Sequence, residues 1–83
     1  MKNNMYQVFQ DNIPADGAHF NLKKPEWKKS IFNEKRDAEV YAYIWAYDVS
    51  IEDAKKYAPN MELNKNYNFS TCEFPINMKI QKI

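Results

Sequence analysis

The sequence predicts an α+β fold: a small antiparallel sheet in β-β-α-α-β order, with room for one extra strand, and one long and one short helix packed on one face. Three observations carry this expectation. Near the C-terminus, Phe74, Ile76, Met78 and Ile80 fall in one phase while Glu73, Asn77, Lys79 and Gln81 fall in the other, the period of two of a strand with one buried and one wet face. From Glu39 to Val49 the chain reads Glu-Val-Tyr-Ala-Tyr-Ile-Trp-Ala-Tyr-Asp-Val, a helix-period segment apolar or aromatic on nearly every side. Ser50 and Asp53 then repeat the Ser-x-x-Asp spacing that opens a helix. Strand signals at both ends of the chain with helices between them suit one sheet covered on one face.

The elements follow in order. Residues 1–4 are expected to fray. Met5 to Gln10 holds strand-type residues, and Ala18 to Leu22 alternates, with Ala18, Phe20 and Leu22 on one face and His19 and Asn21 on the other. Asp11 to Gly17 between them is dense in Asp, Asn, Pro and Gly, so the pair reads as a hairpin across a seven-residue turn. Lys23 to Lys29 contains Pro25 and reads as a loop, and Ser30-Ile31-Phe32 as a short extended piece. Asn33 suits the cap of the long helix, and Glu34 suits the positive end of its dipole. The helix runs to about Tyr47, where Asp48 breaks the apolar run.

The short helix starts after Ser50, turns Ile51, Ala54, Tyr57 and Ala58 inward, and ends before Pro59, whose ring disfavours helical geometry at Ala58. Asn60 to Asn66 is a polar connector anchored by Met61 and Leu63, and Tyr67 to Phe69 supplies the extra strand. Pro75 lacks an amide proton, which points to an edge position or a bulge in the last strand. The long helix should lay Ala38, Tyr41, Ala42 and Trp45, with Val49, on a sheet face built from Phe20, Leu22, Ile76, Met78 and Ile80.

Length and composition bound the function. At 83 residues with 45% apolar content, the chain is expected to form one domain spanning residues 1–83 that buries roughly 60–65% of its unfolded surface. A net charge of +1 supplies no global field toward nucleic acid or an anionic membrane. One cysteine excludes an internal disulfide and suits a reducing cytoplasm. No apolar run follows the polar N-terminus, and none reaches the ~18 residues of a membrane span. The expectation is a soluble cytoplasmic protein with no membrane partner.

Several chemistries lack their residues. One Cys and one His cannot hold a structural metal, and no Asp-rich loop is present. Cys72 with His19 is the sole nucleophile–base pair available. Cys72 shares phase with Phe74 and Ile76, however, and reads as core, while His19 reads as wet. A lone Gly17 cannot form a phosphate cradle. Asp11 and Asp16 share one turn, where solvated side chains bonding their own backbone are the expected state. No catalytic residue, metal or cofactor is expected.

Two binding signals remain. Lys23, Lys24, Lys28 and Lys29 surround Trp27, so cations flank a ring that could stack on a base. The single Arg and the balanced charge weaken this nucleic-acid reading. The stronger signal is the face of the long helix bearing Val40, Tyr43, Ile44 and Tyr47. A short second helix cannot readily cover all of it, and Tyr is a residue that anchors interfaces. The expected function is therefore a non-enzymatic module that docks on a protein partner, or on itself as a homodimer, through these four residues.

Asn, Ile, Lys and Tyr are abundant, as A/T-rich coding favours, and Leu appears only at Leu22 and Leu63. In this style the chain resembles small accessory proteins of bacterial viruses. That resemblance implies a host enzyme or defence complex as partner, inhibition by occlusion, and a place in the host cytoplasm.

Overall fold

The structure, a computed structural model, describes residues 4–15, 29–70 and 75–83. Its elements are β1 (Tyr6–Gln10), β2 (Ile13–Pro14), β3 (Ile31–Phe32), α1 (Lys35–Tyr47), α2 (Ile51–Tyr57), β4 (Tyr67–Ser70) and β5 (Pro75–Lys82). They form one antiparallel sheet with two helices, the α+β architecture the alternation implied.

The first hairpin is tighter than the turn chemistry suggested. Gln10 pairs with Ile13, so Asp11 and Asn12 alone make the turn, with φ of 51° and 67°. Positive φ at both central positions is the type I′ geometry, whose twist matches that of the flanking strands. Asp and Asn tolerate it better than other residues with a Cβ. The strand expected at Ala18 to Leu22 lies outside the described residues, as do His19, Phe20 and most of the lysine-rich loop.

β1 organises the sheet. On one edge it pairs with β5, Val8 facing Ile80, and β4 lies beyond β5 in the order β2-β1-β5-β4. The other edge of β1 is shared end to end by β2 and β3. Where those two short strands meet, the Val8 N–H donates to the Ser30 carbonyl and the Val8 carbonyl accepts from the Ala15 N–H, each at 2.9 Å. The extended piece at Ile31 and the extra strand at Tyr67 are both as expected.

Pro75 is the first residue of β5, which is an interior strand rather than an edge. β1 reaches only from Met78 to Lys82, so at Pro75 the strand has a partner on one side, at Ser70. A missing N–H is tolerated there because the ladder is locally one-sided.

The cap of α1 is displaced by one residue from Asn33. Glu34 holds the cap position in an extended conformation with no side-chain cap bond. Pairing of Ile31 and Phe32 with β1 fixes where the chain leaves the sheet, and that constraint overrides the capping preference of Asn33. The far end is as read: Asp48 takes φ 54° and its N–H returns to the Ile44 carbonyl. Ser50 caps α2, its hydroxyl accepting from the Asp53 N–H at 3.1 Å. Ala58 is extended before Pro59.

The core lies between sheet and helices. Val8, Met78 and Ile80 from the sheet and Ala38, Tyr41 and Ala42 from α1 are fully enclosed. Phe74 and Cys72, placed in the same phase by the sequence, lie outside the described residues. Tyr41 donates its hydroxyl to the Ala15 carbonyl, and its ring packs 4.9 Å from that of Phe32. The helix is thereby tied to the edge where β2 and β3 meet. Met61 in the connector is also enclosed, and Leu63 packs beside it on the core.

Candidate functional site

The four residues expected to form a docking face divide into two pairs. Val40 and Ile44 are each 2% exposed and belong to the chain's own core. They are unavailable to a partner in this fold, which corrects the wider face read from the sequence. α1 packs on the sheet through β1, β3 and β5 and against α2, so its own chain covers two of its sides and Val40 and Ile44 fall within them.

Tyr43 and Tyr47 remain accessible. Tyr43 is half-buried and Tyr47 is 37% exposed. Spaced i,i+4, they share one helix face, and their ring centroids stand 4.8 Å apart in a tilted stack. Phe69 of β4 lies against both, 6.3 Å from Tyr43 and 5.8 Å from Tyr47. β4 is the outermost strand at its side of the sheet. The result is a three-ring cluster in which Phe69 is buried and the two tyrosines form the outer layer. The sequence showed the tyrosines but not Phe69, whose distance of 22 positions from Tyr47 left no local signal.

A polar clamp that the sequence did not announce holds the other end of the helical layer. Glu39 is only 3% exposed. Its carboxylate accepts from Lys35 Nζ at 2.7 Å and Arg36 Nη1 at 2.9 Å, and from the Met61 N–H at 2.9 Å. Arg36 also donates to the Lys55 and Ala58 carbonyls at the C-terminal end of α2, where positive charge complements the helix dipole. Lys35 reaches the Asn60 side chain at 2.8 Å. Burial pushes the Glu39 carboxyl up, but hydrogen bonds from Lys35, Arg36 and Met61 outweigh it and hold the group below its ordinary value. The clamp has the satisfied geometry of a structural tie between α1, α2 and the connector.

The remaining candidates are placed less fully. Lys29 is exposed just before β3. Lys23, Lys24, Trp27 and Lys28 lie outside the described residues, as do His19, Asp16 and Cys72. Asp11 sits in the hairpin turn. Among the described residues, no group of three or more His, Cys, Asp or Glu could hold a metal ion. No described helix is long and apolar enough to cross a membrane. No known protein family matches the chain, and no characterised protein or solved structure is detectably similar to it.

Proposed function

We propose that the chain is a small non-enzymatic protein-binding module, working in a reducing cytoplasm, that docks through Tyr43 and Tyr47 over Phe69. The observation that supports this reading is the tyrosine pair in tilted ring contact. Two large amphipathic rings are presented together at the border between α1 and β4, packed on the buried ring of Phe69. Tyrosines held this way bring contact area at low entropic cost. The matching partner surface is apolar with hydrogen-bonding groups at its rim, where the two hydroxyls would meet it. Binding by such a patch acts on the partner by occlusion, the mode by which an accessory protein would inhibit a host enzyme or defence complex.

The test is capture of a partner from the native host lysate, with light scattering on the purified chain to detect self-association. Tyr47→Asp should abolish the complex while leaving the far-ultraviolet circular dichroism unchanged. A monomer that captures nothing, or a complex indifferent to Tyr47→Asp, overturns the proposal.

A further inference from the structure

We propose that the sheet face turned away from the helices is a stacking platform for single-stranded nucleic acid. Strand register places Gln7 opposite Gln81 and Phe9 opposite Lys79 on the two central strands. Side chains alternate along a strand, so these four and Asn77 project from the side opposite Val8, Met78 and Ile80. Half-buried Phe9 puts an aromatic ring at the middle of this face, between Lys79 on β5 and Pro14 on β2, with Gln7 and Ile31 the next pair along. Lys79 Nζ lies 5.8 Å from the ring centroid and is steadied by the Asn12 side chain at 3.0 Å. A phosphate binding Lys79 would draw the ammonium off the ring and set an adjacent base over Phe9. The amides of Gln7, Gln81 and Asn77 supply donors and acceptors around it. A partly accessible aromatic on a sheet face with amides and a cation beside it is the chemistry by which single strands are held.

The charge distribution favours a polyanion over a neutral ligand. The total of +1 conceals a segregation: residues 34–62, which hold both helices, carry seven acids against four bases, and the other described residues carry four bases, Lys29, Lys65, Lys79 and Lys82, against the one acid Asp11. In the described strands, the residues facing away from the helices include Lys79 and no carboxylate, Asp11 belonging to the turn. A negative helical layer opposite a positive sheet layer orients the molecule toward phosphate by its outer face. This surface is separate from the Tyr43–Tyr47 patch, and the two readings stand independently.

The experiment is fluorescence anisotropy with a labelled oligothymidylate at about 50 mM and about 200 mM salt, the range over which phosphate contacts weaken. Binding should appear at the lower salt and fall at the higher. Phe9→Leu keeps the apolar volume but loses the ring face, and should weaken binding about tenfold. Lys79→Glu should do at least as much, whereas Lys56→Glu, the same charge change on α2, should leave affinity within about twofold. Thermal melts of all three variants establish that they are folded, and either Phe9→Leu or Lys79→Glu suffices if the other melts early. No binding at the lower salt overturns the proposal. Equal weakening by Lys56→Glu also overturns it, because the attraction would then be diffuse, as does binding to phosphatidylserine vesicles without binding to the oligonucleotide.

Discussion

Replacing Glu39 with alanine should be among the most damaging single changes available in the helical layer, and its cost can be worked from the clamp. The carboxylate is 4% exposed and takes three hydrogen bonds. Two come from side chains that are 32% and 47% exposed. Lys35 and Arg36 can return to water, so each contributes only about 0–1 kcal/mol after screening. The third donor is the backbone of Met61, a fully enclosed residue, and leaving a buried N–H unpaired costs about 1–3 kcal/mol. The sum is about 1–5 kcal/mol, against a total stability of about 4–12 kcal/mol for a chain of this size.

Glu39→Gln separates the parts. The amide oxygen can still accept from Met61, so only the charge is lost and the cost should be about 1 kcal/mol. Urea unfolding followed by tryptophan fluorescence measures both variants, with the midpoint read at constant slope. The reasoning fails if alanine and glutamine cost the same, because the Met61 bond would then carry no weight. It fails equally if alanine shifts stability by less than about 0.5 kcal/mol, the ordinary scatter of a surface substitution.

Three further outcomes follow from particular contacts. The Glu39 carboxyl lies below its ordinary value of 4.5 in the folded chain, so the stability it supplies is present above that pH and is lost as pH falls through the folded value. The wild-type advantage over Glu39→Gln should therefore shrink in urea melts between neutral pH and about pH 3.5. Tyr41→Phe leaves the Ala15 carbonyl without its buried donor and should lower the melting midpoint by about 4–16 °C, a loss of about 1–2 kcal/mol. An unchanged midpoint would mean the bond contributes nothing. Ser50→Ala removes the cap that accepts from Asp53 and should cost about 1 kcal/mol, with amide exchange in the first turn of α2 rising by about fivefold or more. Glycine at the same position should cost only a few tenths of a kcal/mol.

Much of the fold was written in local patterns. The alternation at Ile76, Met78 and Ile80 is a strand signal no neighbour needs to complete. Ser50 with Asp53, Asp48 and Pro59 mark helix ends by chemistry confined to a few residues. The misplaced features depend on partners elsewhere in the chain. Asn33 is the better capping residue, yet Glu34 occupies the cap because Ile31 and Phe32 are already committed to β1. The hairpin turn closes at Asp11-Asn12 rather than spreading to Gly17 because β2 begins at Ile13, and the dipeptide lacks the glycine that usually marks such turns. Val40 and Ile44 read as a free face because periodicity says which side is apolar but not what encloses it. Glu39 reads as an ordinary solvated charge, since the amide that buries its role lies 22 residues onward at Met61. Of the proposed docking face, Tyr43 and Tyr47 were legible, and their support by Phe69 required knowing the order of the strands.

The arrangement at Val8 concentrates the attachment of two strands on one residue. Its N–H and its carbonyl fasten Ser30 and Ala15 to a single residue of the central strand, so the stretch between them begins and ends at one anchorage. Ala15 and Ser30, 15 positions apart in sequence, are thereby held by one backbone unit. A change that displaces Val8 therefore loosens β2 and β3 from β1 together, so this residue carries the joint of three strands.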